Sequence, residues 1–311
     1  MKNVNVGIFG NYGSGKSSLA EILQQRKGMA SDIAFYSYKV RDTNVTLIDV
    51  PGDPNKIQPM LEAANISDAA LLTIPSDVGI NYQTGETVIA LTLAGIKNGM
   101  VAITKTDLST REEIETLKTK IQTMFKTTPF SSFPVHEISI LTKTNIPELT
   151  SALAALETGE GEKGSFKMPV DHTIEPKSGF TIVTGIVKRG EIKTHDKVNI
   201  MPWEKEMVVQ SIQIHNQDVD VAGARDRIAI AFKGIHYHDV QRGDIICDTS
   251  APTSKSKELS LDFEVNQFYK ESISKGQRLH LSLGLQFHPV IVRSIVKSES
   301  SLDLDVGAEV S

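Results

Sequence analysis

The chain has 311 residues, 40% apolar and 23% charged, which suits a soluble globular protein of two domains, or three small ones. Its single cysteine, Cys247, excludes an internal disulfide and any multi-thiolate zinc or iron–sulfur centre. A formal net charge of −5, with neither half basic, excludes bulk counterion-driven nucleic-acid binding and leaves only local basic patches for an RNA partner.

No apolar run approaches the roughly 18 residues of a membrane span. Met1-Lys2-Asn3-Val4 leads directly into a strand-like run, so no leader peptide is expected. A cytoplasmic protein without membrane contact or structural zinc is the expectation, and a monomer the simplest state.

In chain order, apolar strand-like runs fall at Val4–Phe9, Val45–Val50, Ala69–Thr73, Met100–Thr104 and Phe133–Ile140. Between them lie stretches with helical periodicity at Ser17–Lys27, Asn55–Ala64, Gln83–Ile96 and Arg111–Phe125, and a last one at Ile146–Leu156. This alternation predicts βαβ units on a mostly parallel sheet, an α/β domain over 1–156. Ser109 followed by Glu112 predicts a capping box at one helix start. The apolar-free acidic stretch 157–165 predicts a linker. From Phe166 the pattern becomes short β-branched or alternating runs, such as Thr181–Val187 and Arg227–Phe232, between turn signals. It predicts a β-barrel over 166–248 with no helices. A second break, Thr249–Ser256, precedes 257–311, which is strand-like but short for a complete barrel.

Chemistry concentrates near the start. Gly10-Asn-Tyr-Gly-Ser-Gly15-Lys16-Ser17 is a G-x4-G-K-S loop after a strand and before a helix, the context a phosphate-binding loop requires. Backbone amides from Gly13, Ser14, Gly15, Lys16 and Ser17, with Asn11 and Ser18 flanking, can cradle phosphates at a helix N-terminus. Lys16 would reach the β- and γ-phosphates, and the Ser17 hydroxyl would ligate Mg²⁺. The strand Val45–Ile48 delivers Asp49-Val-Pro-Gly52. Its carboxylate can hold Mg²⁺ through water, and Gly52 can bring a backbone N–H to a γ-phosphate. In Thr104-Lys105-Thr-Asp107, after the next strand but one, Asp107 can accept both N1–H and the 2-amino group of guanine while the Lys105 stem covers the base. By itself Lys-Thr-Asp reads better as a turn. Ser139-Ile140-Leu141 can add a backbone donor to guanine O6.

The ordered set GNYGSGKS, DVPGD, TKTD and SIL resembles the GTP-binding domain of translational GTPases of the EF-Tu class. Gln83-Thr84 fits that class, as do Ser178–Ile192, Phe232–Ile235 and Gln241–Asp244 in the second part. Thr104, Val208–His215 and Leu279–Gly284 look similar to archaeal SelB. The resemblance covers nearly the whole chain. It implies a P-loop GTPase domain followed by β-barrels, GTP/GDP and Mg²⁺ as cofactors, and carriage of a specialised aminoacyl-tRNA to the ribosome.

Three departures from the family pattern bear on mechanism. The family's DxPG is followed by a histidine that helps position the attacking water, whereas this chain has Asp53. A carboxylate is anionic at neutral pH and repels a γ-phosphate, so slow intrinsic hydrolysis is expected. In the first switch, Lys27-Gly-Met-Ala30-Ser31-Asp32 occupies the family's R-G-I-T/S-I-D segment. Ala30 stands where a hydroxyl would ligate Mg²⁺, and using Ser31 requires a one-residue shift. Weak GTP/GDP discrimination follows. Finally, SelB's additional C-terminal, mRNA-reading domain has no counterpart here, and 257–311 reads as a partial or reduced second barrel.

The competing reading is a nucleotide-locked regulatory or RNA-binding module that does not turn over GTP. An enzyme borrowing this domain to drive other chemistry, as in GTP-coupled sulfate activation, has only the shared fold behind it. The His236-x-His238 pair would share a face on a strand but lacks a third metal ligand. Cys247 reads as a buried core residue and Trp203 as a barrel cover. Arg189, Arg225, Arg227 and Arg242 sit among turns, where solvation and RNA phosphate contact are equally open.

Overall fold

The computed structural model describes residues 2–24, 26–27, 32–53, 56–175, 179–251, 256–266, 269–296 and 301–310. They fall into two units, Met1–Glu160 and Gly161–Ser311.

The first unit runs β1 (Lys2–Gly10), α1 (Lys16–Leu23), β2 (Arg26–Lys27), β3 (Ala34–Val40), β4 (Thr43–Asp49), α2 (Ile57–Ile66), β5 (Ala69–Pro75), α3 (Tyr82–Leu93), β6 (Gly99–Thr104), α4 (Arg111–Phe125), β7 (Val135–Glu137) and α5 (Ile146–Ala155). The strands form one sheet in the order β2-β3-β4-β1-β5-β6-β7, parallel from β4 to β7. Every residue of β5 is buried, as helices on both faces of a parallel sheet demand. On one face Val4, Val6 and Ile8 of β1 pack with Leu19 and Ala20 of α1 and with Leu149 and Leu153 of α5. Helix α4 buries Ile114, Leu117, Ile121 and Phe125, a stripe at helical spacing. Phe125, Phe130 and Phe133 then turn the chain back to the sheet through two edge-to-face ring contacts.

Three elements differ from the sequence expectation. Ala34–Val40 forms a strand, β3, antiparallel to β4 across an Arg41-Asp42 turn in which Arg41 has φ of 51°. Ser37 and Lys39 interrupt its apolar run, yet Phe35, Tyr36 and Tyr38 are buried. The helix predicted to reach Lys27 stops at Leu23, because Gln24 is extended and Arg26–Lys27 pair with Tyr36 and Ser37. Of the predicted strand Phe133–Ile140 only Val135–Glu137 pairs as a strand. Ser139 instead spends its hydroxyl on two loops, donating to Asp107 after β6 and accepting from Thr142 N–H at 3.2 Å in the turn that follows.

The second unit contains β8 (Lys167–Ile174), β9 (Thr181–Ile186), β10 (Glu191–Lys193), β11 (Lys197–Met201), β12 (Lys205–Val208), β13 (Ser211–Ile214), β14 (Gln217–Val219), β15 (Val221–Gly223), β16 (Arg227–Phe232) and β17 (Ile245–Asp248). Eight of them follow the order β12-β11-β17-β8-β9-β16-β13-β14, and β10 pairs with β15. They enclose Phe166, Val183, Ile228, Ile230 and Phe232. Residues Ser256–Val310 add β18 (Ser256–Asp262), β19 (Arg278–Leu283), β20 (Gln286–Val296) and β21 (Ser301–Val310), an antiparallel sheet in the order β18-β21-β20-β19. The architecture is thus an α/β domain followed by β-rich structure. Among the described residues no helix is long and apolar enough to cross a membrane.

Candidate nucleotide-binding site

Sheet register decides which residues meet. Ile8 of β1 aligns with Asp49 of β4, Gly10 with Thr73 of β5, and Pro75 of β5 with Thr104 of β6. The chain leaves β1, β4, β5 and β6 at one sheet edge, and α1 begins there. In open α/β sheets that carboxyl edge, where strand order reverses beside β1, is where ligands bind.

Gly15 caps α1 at φ 86°, a left-handed conformation that favours glycine, and no side chain caps the helix. The first amides of α1 are therefore available to an anion. The Lys16 ammonium folds back to donate to Gly10 O at 2.8 Å and Asn11 O at 2.7 Å. Burial pushes its pKa down to about 8, against the opposing pull of Asp49. Behind the loop runs a buried hydroxyl network. Ser14 Oγ and Thr73 Oγ1 are hydrogen-bonded at 2.8 Å, Thr73 donates to Phe9 O at 3.0 Å, and Thr104 Oγ1 donates to Ser14 O at 2.8 Å. Thr104 therefore braces the phosphate loop from beneath, with its side chain buried.

Ser17 Oγ donates to Asp49 Oδ2 at 2.7 Å. The other carboxylate oxygen, Oδ1, is buried without a hydrogen-bond partner among the described residues. Burial pushes the Asp49 carboxyl above its ordinary range, opposed by the Ser17 hydrogen bond and the Lys16 charge. An orphaned carboxylate oxygen paired with a helix-start hydroxyl is a donor set that fits Mg²⁺, which prefers hard oxygen ligands and retained waters. Gly52 presses on the phosphate loop: a Cβ there would lie 2.5 Å from Lys16 Nζ and 2.7 Å from Tyr12 N. Asp53, Lys56, Gln83 and Glu86 line a small adjoining cavity with Phe9 and Met60.

On the base side, Lys105 has φ 57° and its ammonium lies 3.2 Å from Asp77 Oδ2. Ser76 Oγ donates to Lys105 O at 2.7 Å, so the segment after β5 holds Lys105 at both ends. Asp107 accepts from Ser139 Oγ. Ile140 Cδ1 lies 3.6 Å from where a Gly15 Cβ would stand, which brings the base-side and phosphate loops together, and Leu141 is exposed. The structure thus gathers Asn11, Gly13, Ser14, Gly15, Lys16, Ser17, Ser18, Asp49, Gly52, Asp53, Thr104, Lys105, Asp107, Ser139, Ile140 and Leu141 around one sheet edge. Ala30 and Ser31 lie outside the described residues. Sequence reasoning gave no role to Thr73, Ser76, Asp77, Gln83 or Thr84. Only Gln83-Thr84 carried a signal, its fit to the family.

In the second unit, Arg227 makes two 3.1 Å hydrogen bonds to the buried carboxylate of Asp171, and Arg189 Nε donates to Ser165 O at 3.0 Å. Arg189 and Arg227 thus serve the fold through these bonds. His236 and His238 flank Tyr237 in a 3₁₀ turn over Tyr237–Asp239, not on a strand. Groups of three or more metal-ligating side chains are absent among the described residues. Cys247 is fully buried beside Met201 and Ile245, while Trp203 is exposed and donates to Asp244 Oδ2 at 3.3 Å.

A glycine-rich loop between first strand and first helix, with a strand-end carboxylate bonded to the loop serine, defines a P-loop nucleotide-binding domain. Residues 22–158 match the model of the elongation factor Tu GTP-binding domain, and residues 180–247 that of elongation factor Tu domain 2. The chain belongs to the EF-Tu class of translational GTPases. It is 30% identical to a selenocysteine-specific elongation factor of Methanocaldococcus jannaschii, over 94% of this chain and 66% of that protein. An uncharacterized protein of the same organism is 29% identical over 98% of this chain and 91% of its own length. Among solved structures, elongation factor SelB from Methanococcus maripaludis in complex with the GTP analogue GppNHp superposes with a TM-score of 0.89 at 26% identity. That match covers all of this chain and 73% of SelB. The chain spans just under two thirds of the first of these relatives and 40% of a selenocysteine-specific factor from Desulfomicrobium baculatum.

Proposed function

We propose that the protein is a GTP-binding, SelB-like elongation factor that carries a specialised aminoacyl-tRNA to the ribosome and hydrolyses GTP slowly on its own. The observation that carries the nucleotide reading is the Ser17–Asp49 pair with its orphaned Oδ1, set at the uncapped start of α1. The amides of Gly13 to Ser18 and the Asn11 backbone bind phosphates, Lys16 neutralises them, and Gly52 approaches the terminal one. Asp107 reads the guanine edge, Lys105 covers the base, and Ser139, Ile140 and Leu141 complete the base-side loop. Ser17 and Asp49 would hold Mg²⁺, which when bound neutralises phosphate charge. Asp53 occupies the water-positioning place with a negative charge, which supports the slow step. Ala30 and Ser31 are the first-switch positions on the same reading. The domain limits that go with this reading are 1–156 for the GTPase domain, 157–165 for a linker, 166–248 for the barrel and 257–311 for a partial or reduced second barrel.

The second reading, a nucleotide-locked module, is favoured by Asp53 and Ala30. Phosphate release with and without ribosomes separates the two. The carrier reading expects stimulation by ribosomes and tRNA binding that depends on nucleotide. Unstimulated hydrolysis together with nucleotide-indifferent tRNA binding supports the locked module instead.

A further inference from the structure

The start of α3 touches both loops that handle phosphate. Asn81 and Thr84 form a reciprocal cap: Asn81 Oδ1 accepts from Thr84 N–H at 3.1 Å, and Thr84 Oγ1 accepts from Asn81 N–H at 3.3 Å. The first turn is thereby fixed without help from the Gln83 side chain. Two successive side chains of that turn then reach different loops. Thr84 Oγ1 also accepts from Asn11 Nδ2 at 3.4 Å, on the phosphate loop. Gln83 Nε2 donates to Gly52 O at 2.7 Å, on the loop after β4. Gly52 in turn is held so close to the Lys16 ammonium that no side chain would fit between them.

We infer that Gln83 is a positioning residue that sets discrimination between GTP and GDP, by tethering the Gly52 carbonyl and so holding Gly52 against Lys16. The inference rests on the GTP-switch reading above. Lys16 serves both the β- and γ-phosphates, and a diphosphate leaves the Gly52 side of the ammonium untouched. A terminal phosphate must enter between Lys16 and Gly52, so Gly52 has to draw back from the ammonium before its N–H can meet that phosphate, and the 2.7 Å tether has to lengthen or break. The tether therefore favours the diphosphate by about one net hydrogen bond, roughly a fivefold ratio. Thr84 differs in kind: it steadies Asn11, on which both nucleotides depend alike.

The test uses the full chain with Mg²⁺ and fluorescent GDP and GppNHp. Dissociation constants are measured for wild type, Gln83→Ala, Gln83→Glu and Thr84→Val. Gln83→Glu keeps the size of the side chain and replaces the donor with an acceptor that repels the Gly52 carbonyl. Both Gln83 variants should shift the affinity ratio about three- to tenfold toward the triphosphate, leaving GDP affinity within about twofold of wild type. Thr84→Val should weaken both nucleotides by similar factors. A ratio that moves by less than twofold, moves toward GDP, or stays fixed while both affinities drop overturns the role of Gln83 and leaves the GTP reading intact. A wild-type chain that binds neither nucleotide overturns that reading, and the inference with it.

Discussion

At the scale of residues, Lys16 ties the site to pH. Its three acceptors, Gly10 O, Asn11 O and Ser14 Oγ, are uncharged, and burial pushes its pKa down to about 8. Phosphates placed against it favour the charged form, so binding raises that pKa. Below pH 8 the amine is protonated with or without nucleotide, and it contributes no pH dependence. Above 8 nucleotide binding must take up a proton, and affinity falls by up to about tenfold per pH unit until the bound pKa is reached. Calorimetry in buffers of different ionisation enthalpy should find close to one proton taken up at pH 9 and almost none at pH 7. The same depressed pKa makes the nucleotide-free fold gain stability as pH rises from 8 toward the unfolded lysine value of about 10.4. Asp53 supplies the second residue-scale test. Asp53→His should raise phosphate release about 10²-fold by removing a repelling charge and supplying a water-positioning group. An unchanged rate would count against the account of the slow step. Much of this site was legible because G-x4-G-K-S is local in sequence, and its glycines and lysine need only chain connectivity to act. The contacts of Thr73, Asp77 and Gln83 were not legible, since their partners Ser14, Lys105 and Gly52 are remote in sequence and meet them only in the folded domain.

At the scale of elements, the helix patterns were readable and their ends were not. For α4 the span Arg111–Phe125 matches the apolar periodicity, but the cap is one residue later than Ser109 and Glu112 suggest. Thr110 Oγ1 accepts from Glu113 N–H at 3.3 Å, and Glu113 returns a bond to Thr110 N–H at 2.8 Å. Ser109 instead donates to Ser76 Oγ at 2.9 Å, so its hydroxyl belongs to the loop after β5. Ser and Thr with Glu at both offsets satisfy the same local rule, and only the loop's demand for Ser109 separates them. Thr110→Ala should cost about 1 kcal/mol and speed hydrogen exchange at the first amides of α4. Ser109→Ala should leave those amides protected. In the barrel, Arg227 looked as open to solvent or RNA as its neighbours, because the sequence could not show that β8 places Asp171 beside it. The Asp171 side chain is only 2% exposed and would be left as a buried, uncompensated charge. Arg227→Met is therefore expected to destabilise the protein by about 3 kcal/mol in urea titration. A neutral result would mean that the pair adds nothing to the fold.

At the scale of the whole molecule, length alone suggested two domains, and the change of pattern at Phe166 showed where α/β gives way to β. The last four strands were hardest to read. Their burial alternates between exposed and half-buried along β18 and β19, and among the described side chains the tightest packing falls on Val290 and Val292 of β20. With so little fully buried apolar surface among those described side chains, the strands leave a weak imprint on sequence. Charge carries the remaining argument. A chain of −5 that also binds a polyphosphate must take RNA, if it is a carrier, through a few local contacts instead of a basic face. The affinity for aminoacyl-tRNA should then fall with salt along a slope shallower than about −5 in log–log form, fewer than about six phosphate contacts. A carrier must also couple that affinity to its nucleotide, and the coupling is reciprocal. Filter binding with GppNHp should be at least fivefold tighter than with GDP, and tRNA should strengthen GppNHp binding by the same factor. Equal affinities in both states, with a shallow salt slope retained, would leave a module that holds RNA without switching and would decide for the nucleotide-locked reading.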